Sequence, residues 1–122
     1  MGLSLIVMRL ARNPGTEFAD GDDHRGYALN APLTADGKLD EAAYRKQAAA
    51  CTVRRFAPDE DAQEGRLAHQ RGRWFFDYGD QGDNEEPLYR LGDHRFAVGE
   101  YVSITDEDGR LLTYKVTDTR VV

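Results

Sequence analysis

The stretch HRFAVGEYVSITDEDGRLLTYKVTDTRVV, residues 94–122, decides the fold, because it contains the clearest β-hairpin of the chain. Val102 and Ile104 alternate with polar residues, and so do Leu112 and Tyr114, which is typical of strands with one buried face. The intervening turn ends in a glycine, which can supply the left-handed residue of a tight hairpin loop. We therefore predict the register Val102–Tyr114 and Ile104–Leu112.

The same register places Asp106 opposite Arg110 and adds Val116 to the inward face of the hairpin. Upstream, short apolar segments are separated by turn residues, and Arg71-Gly72 reads as a second hairpin turn. The strands predicted there cover residues 3–10, 26–33, 52–57, 65–70, 73–78 and 88–91.

One helix is predicted, over about residues 40–50. Asp40 is a plausible N-cap, Glu41 and Arg45 are spaced for a helical ion pair, and alanine dominates the rest of the segment. A helix of this length is marginal alone, so its stripe containing Tyr44 and Cys51 must pack on a sheet.

These elements predict an α+β fold in a single domain, residues 1–122. Its sheet is strongly bent and mostly antiparallel, or forms a small partial β-barrel of about seven short strands, with one packed helix. The predicted core consists of Leu5, Val7, Tyr44, Val53, Phe56, Trp74, Phe76, Val102, Ile104, Leu112, Tyr114 and Val116.

Composition limits the classes of function. The chain has 122 residues, 40% of them hydrophobic and 31% charged, as in ordinary soluble globular proteins. A formal net charge of −6 argues against binding to nucleic acid or to an anionic membrane. A single cysteine excludes an internal disulfide, and the apolar N-terminal run is too short for a signal peptide or a membrane span. We therefore expect a cytoplasmic protein.

Basic residues are concentrated in the middle of the chain, where residues 44–75 carry seven basic and four acidic side chains. Arginines beside an aromatic ring can stack on it and can bind phosphate or carboxylate with two hydrogen bonds. Alternatively, these arginines are the polar positions of half-buried strands and pair with nearby acids. The candidate ligand-binding residues are Arg54, Arg55, His69, Arg71, Arg73 and Trp74.

Other motifs are weaker. The acidic segment 77–86 could hold a hard cation such as Ca²⁺ or Mg²⁺, but its spacing does not match an EF-hand. His24, His69 and His94 lack the spacing of a metal site, and Cys51 lies on the apolar stripe of the helix, where an inert buried thiol is expected. We predict no catalytic residue, no bound metal and no cofactor.

Three passages resemble a family of small uncharacterised alphaproteobacterial proteins: APLTADGKLD at 31–40, CTVRRF at 51–56 and FAVGEYVSI at 96–104. The resemblance covers most of the chain and implies no activity. The last passage is also similar to strand–glycine corner–strand units of small β-barrels, in which the glycine permits the bend.

Three functional hypotheses follow from the sequence. The first is a non-catalytic binding or interaction domain of a bacterial cytoplasmic protein that recognises a protein partner or a small anionic ligand. The second is a structural or regulatory homo-oligomer, such as a homodimer formed through an edge strand. The third is a metal-dependent enzyme that uses the acidic segment 77–86.

Overall fold

A computed structural model describes residues 2–78, 85–87, 95–105 and 109–121 of the chain. Within these residues there are eight strands and one α-helix, which a short 3-10 turn (Ala48–Ala50) follows. The strands are β1 (Ser4–Leu10), β2 (Asp22–Ala31), β3 (Thr52–Ala57), β4 (Glu60–Gln70), β5 (Arg73–Asp77), β6 (Glu85–Pro87), β7 (Tyr101–Thr105) and β8 (Leu111–Val121), and the helix is α1 (Glu41–Lys46).

All eight strands belong to one antiparallel sheet with the order β6-β5-β4-β3-β2-β1-β8-β7. The sheet curls into a half-barrel, and its concave inner face holds the hydrophobic core. The bent antiparallel sheet is as predicted. The α+β class is wrong, however, because a six-residue helix leaves the protein mostly β.

Helix α1 is shorter than the predicted 40–50 helix. The side chain of Asp40 caps it by accepting a hydrogen bond of 3.0 Å from the Ala43 backbone N–H, and Glu41 forms the predicted ion pair with Arg45. The helix ends because Gln47 leaves helical geometry, with φ −145° and ψ 36°. After it, the alanines continue only as a 3-10 turn.

Tyr44 attaches helix α1 to the sheet. Tyr44 donates its hydroxyl to the backbone carbonyl of Leu67 on β4 at 2.9 Å. Its ring meets Trp74 edge-on, with centroids 5.2 Å apart. The helix therefore covers the end of the inner face at which β2 ends and β3 begins.

The C-terminal hairpin has the predicted register. Val102 lies opposite Tyr114 and Ile104 opposite Leu112, and all four side chains are buried. Gly109 has the left-handed conformation that the turn requires, with φ +83°. The predicted pair of Asp106 with Arg110 cannot be compared, since residue 106 lies outside the described residues.

The predicted core is wrong in strand β1 by one residue. Leu5 and Val7 are only half-buried, whereas Ile6, Met8 and Leu10 are buried. Every residue from 5 to 8 is apolar, so the alternation that normally tells the two faces apart is missing. Tyr44 and Phe56, also assigned to the core, are half-buried, and the other eight predicted core residues are buried.

Several strand limits differ from the prediction. Strands β2 and β4 begin earlier than expected, at Asp22 and Glu60, and strand β6 lies where the sequence predicts no strand. The predicted strand 88–91 lies outside the described residues. Long strands with polar ends escape prediction because their exposed ends have the composition of loops.

A β-bulge between β1 and β2 bears directly on the candidate site. Arg9 lies opposite Gly26, but the next residue, Leu10, lies opposite Asp22, so extra residues of β2 loop out between these pairs. Arg25 is one of them. The bulge therefore places its guanidinium at the end of the inner face that helix α1 leaves uncovered.

Candidate anion-binding site

The neighbouring arginines of β3 point to opposite faces of the sheet. Arg55 lies opposite Tyr27, whose ring is buried on the inner face. Arg54 lies opposite the exposed Glu64 of β4 and is itself exposed on the outer face. Side chains of a strand alternate between faces, so these two arginines cannot serve one surface.

His69 and Trp74 form a packed pair on the inner face. They are cross-strand partners with ring centroids 4.4 Å apart, and Trp74 is buried. The Nδ1 atom of His69 lies 3.8 Å from a carboxylate oxygen of Glu41 on helix α1. The pair therefore serves to hold the helix on the sheet.

Arg71 and Arg73 belong to the β4–β5 hairpin. Both are exposed, and Arg71 has φ +55° beside Gly72 at φ +77°, which confirms the predicted turn. The six residues proposed from the sequence therefore do not form one surface. Strand alternation and the packing of helix α1 distribute them over the outer face, the inner face and a turn.

A different group of residues encloses a cavity, which we call the rim cavity. It has a volume of about 230 Å³ and lies at the end of the inner face opposite helix α1. Its lining comes from five separate parts of the chain: Leu10, Glu17, Phe18, Arg25, Gly26, Tyr27, Arg55, Phe56, Ala57, Glu60, Arg110, Leu112 and Tyr114. Of the predicted site residues, only Arg55 is among them.

Three arginines line the rim cavity. Arg25 comes from the β2 bulge, Arg55 from β3, and Arg110 from the residue before β8. The guanidinium carbons of Arg25 and Arg110 lie 5.0 and 5.7 Å from the ring centroid of Phe18. Such cation–π contacts hold both side chains against one aromatic wall.

Carboxylates accompany two of these arginines. Asp22 lies 3.1 Å from Nε of Arg25, and Glu17 lies 2.7 Å from Nη1 of Arg110. A backbone hydrogen bond at Glu17 and then the hydrogen bond from Arg110 lower the pKa of the Glu17 carboxyl below its ordinary value. Glu17 is thus ionised at neutral pH and occupies one side of Arg110.

Asn13 anchors the segment that carries Glu17 and Phe18. Its amide nitrogen donates to the carbonyls of Ala11 and Thr113 at 2.8 and 3.1 Å. Its amide oxygen accepts from the Thr113 N–H at 2.9 Å. Asn13 is the one buried polar residue among the described positions, and it fastens residues 11–21 to strand β8.

Sequence reasoning missed Glu17, Phe18, Arg25 and Arg110. Glu17, Phe18 and Arg25 lie in no motif, and the sequence predicts Arg110 only as the partner of Asp106 in the C-terminal hairpin. The sequence does indicate the face on which Arg55 lies. Arg55 is two residues after Val53, which is predicted to be in the core and is buried, so both side chains lie on the inner face of the sheet.

The other candidate sites from the sequence give no cluster. Among the described residues no group of three His, Cys, Asp or Glu side chains could hold a metal ion. His24 is exposed on β2, and His94 lies outside the described residues, as does most of the acidic segment 77–86.

Cys51 is a buried thiol, as predicted. Its side chain is fully buried, its Sγ donates to the Gln47 carbonyl at 3.5 Å, and burial raises the pKa of the thiol. We expect iodoacetamide at pH 8 to alkylate Cys51 roughly tenfold or more slowly in the folded protein than in urea, because the thiolate is the reactive form. Equal rates, followed by mass spectrometry, would contradict this.

Comparisons with protein-family models, curated proteins and solved structures give no match for the chain. In the ranges that the structure describes, no helix is long and apolar enough to cross a membrane.

Proposed function

We propose that the chain is a non-catalytic binding domain that takes a small anionic ligand in the rim cavity. The observation that carries this proposal is the meeting of Arg25, Arg55 and Arg110 at one concave site, although they are far apart in sequence. Guanidinium groups bind carboxylate and phosphate with paired, charge-assisted hydrogen bonds. A concave site with a few convergent polar groups is the usual form of a small-molecule site.

A local anion-binding site is compatible with the negative net charge of the protein. The net charge of −6 disfavours extended binding to a polyanion, but a small ligand meets only the charges that line the cavity. Buried Leu10, Tyr27, Leu112 and Tyr114 form the apolar part of the lining.

Adjacent arginines provide a matched test. We expect Arg55→Gln to weaken the binding of benzoate roughly tenfold or more, because a hydrogen bond to a charged group is lost. Arg54→Gln removes the same charge one residue away, on the outer face, and should change the affinity by less than about twofold. Titration followed by NMR chemical shifts gives both values.

Two outcomes would contradict the proposal. One is the absence of any saturable shift at the rim cavity in the unmodified protein. The other is an equal loss of affinity in both variants, which would indicate a general effect of charge. Circular dichroism on both variants checks that the sheet is intact.

The homodimer remains a second proposal because of strand β7. It forms one edge of the sheet, and the side chains of Val98, Tyr101 and Leu111 near it are 62%, 53% and 52% exposed. Exposed apolar side chains beside an edge strand favour contact with a second copy, although β7 also approaches β6, the strand at the opposite edge of the sheet. Sedimentation that shows only monomer at high micromolar concentration would exclude it.

The remaining interpretations stay predictions. These are the cytoplasmic location, the alphaproteobacterial family and the metal-dependent enzyme of segment 77–86. Titration with Ca²⁺, Mg²⁺ and Zn²⁺ tests the last of these, because an ion that binds only the folded protein must raise its melting temperature.

A further inference from the structure

The ion pair between Glu17 and Arg110 narrows the class of ligand, provided that the rim cavity binds an anion as proposed above. An oxygen of the Glu17 carboxylate lies 2.7 Å from Nη1 of Arg110, within the lining of the cavity. The site thus already binds one carboxylate, and that carboxylate belongs to the protein itself. A ligand of the same chemistry can take its place with the same hydrogen-bond geometry.

The charges at the site limit the ligand to a single negative charge. Among the described residues of the lining, Arg25, Arg55 and Arg110 contribute +3, and Glu17 and Glu60 contribute −2, which leaves +1. Asp22, which pairs with Arg25 from outside the lining, reduces this sum to zero while Glu17 is in place, and displacement of Glu17 by a ligand returns it to +1. A dianion would therefore bring more negative charge than the site can compensate, and unpaired charge in a partly closed site is costly.

The exposure of Glu17 makes the exchange feasible. The side chains of Arg110 and Glu17 are 37% and 61% exposed, so their ion pair is a weak surface contact. A ligand that displaces Glu17 into water loses little. The volume of about 230 Å³ lies below the roughly 300–1,000 Å³ of sites for drug-sized molecules, so the ligand is correspondingly small.

We infer that the ligand of the rim cavity is a small monocarboxylate, and that Glu17 is an internal competitor that holds Arg110 until the ligand displaces it. Residues 11–21 carry Glu17 and hold its carboxylate beside Arg110. Competition from this carboxylate raises the ligand concentration that is needed to occupy the cavity.

Four anions test the ligand class. The probes are acetate, benzoate, methanesulfonate and sulfate, each titrated into the full chain at pH 7.5 and followed by NMR. We expect the two carboxylates to bind more tightly than methanesulfonate and sulfate. Tighter binding of sulfate or methanesulfonate would overturn the inferred class but would leave the proposed anion site intact, whereas no binding of any probe would remove both.

A carboxylate at the end of a peptide presents the same group, so the source of the carboxylate needs its own comparison. N-acetylglycylglycine and its amide serve for this. We expect the free acid to bind no more tightly than benzoate, because the cavity is small. If N-acetylglycylglycine binds more tightly than benzoate, the inference of a free small acid is overturned. The ligand would then be the C-terminal carboxylate of a peptide.

Glu17→Gln tests the competition. It removes the carboxylate and keeps the size of the side chain, so we expect benzoate to bind about two- to fivefold more tightly. Glu60→Gln is the matched control, since it removes the same charge from the lining without touching the ion pair. Glu60→Gln should increase the affinity for benzoate less than Glu17→Gln does. An equal increase in both variants would overturn the role of Glu17 as a competitor.

Removal of Arg110 separates competition from a general effect of charge. In an Arg110→Gln background, Glu17→Gln should improve binding no more than Glu60→Gln does, because Glu17 has no guanidinium left to block. The gain from Glu60→Gln should persist there. Retention of the full Glu17→Gln gain without Arg110 would show that the two groups are not coupled, and would overturn the inference.

Discussion

Gly26→Ala is expected to lower the free energy of unfolding by about 3 kcal/mol, at the upper end of the cost of overpacking. A Cβ atom at this position would lie 1.9 Å from the carbonyl oxygen of Met8 and 3.0 Å from Cα of Arg9. Both are backbone atoms of the neighbouring strand β1. No side-chain rotation can relieve the contact, so strand β2 must move away from β1 at the bulge.

The matched control is Gly72→Ala in the β4–β5 turn. Gly72 has φ +77°, and a Cβ atom there would meet nothing within 4 Å. Only the cost of left-handed backbone remains, about 1 kcal/mol. Urea unfolding measures both variants, and a loss at Gly26 no larger than that at Gly72 would show that the two strands are not so close.

The same change reaches the candidate site. Gly26 follows Arg25, and both line the rim cavity. Movement of β2 at the bulge displaces the guanidinium of Arg25 from Phe18, so the folded fraction of Gly26→Ala should also bind benzoate more weakly. Gly72→Ala, in a turn outside the cavity lining, should bind like the unmodified chain.

The sequence predicts those parts of the fold that are determined by residues close together in the chain. In the C-terminal hairpin, Val102 and Ile104 alternate cleanly with polar residues, and Gly109 provides the turn, so the register follows. In β1 the same reasoning has no alternation to use, because residues 5–8 are all apolar. The wrong face was therefore assigned to a correctly located strand.

The rim cavity could not be predicted from the sequence because it has no local cause. Its arginines are at positions 25, 55 and 110, and they meet only because β2 and β8 begin, and β3 ends, at the same side of the sheet. The position of Arg25 also depends on the bulge in β2. The bulge shifts the alternation of side chains between the two faces, and no sequence pattern predicts it. Clustering in sequence pointed instead to Arg54 and Arg73, which the structure places apart from the cavity.

Asn13→Ala is expected to lower the free energy of unfolding by about 3 kcal/mol. Asn13 is 8% exposed and makes three hydrogen bonds, two to Thr113 on strand β8 and one to Ala11. Alanine makes none of them and leaves the Thr113 N–H without this partner. Each lost bond contributes about 0.5–1.5 kcal/mol, and a buried donor left unpaired costs about 1–3 kcal/mol.

Asn30→Ala is the control of the same chemistry. Asn30 is half-buried and donates one hydrogen bond of 3.0 Å to the hydroxyl of Thr52. Its loss should cost about 1 kcal/mol. Equal effects of the two substitutions in urea unfolding would mean that Asn13 does not anchor residues 11–21.

Asn13→Ala also links the anchor to the rim cavity. Without Asn13, residues 11–21 no longer hold Glu17 beside Arg110, so the hydrogen bond that helps to lower the pKa of Glu17 is weakened. We therefore expect the pKa of Glu17 to rise in the folded variant, which carbon-13 NMR of its carboxyl can follow. The stability that this lowered pKa provides is present at neutral pH and is lost as the pH falls through it, so Asn13→Ala should also reduce the dependence of stability on pH in the acidic range. An unchanged Glu17 pKa in the folded variant would mean that the ion pair with Arg110 forms without the anchor.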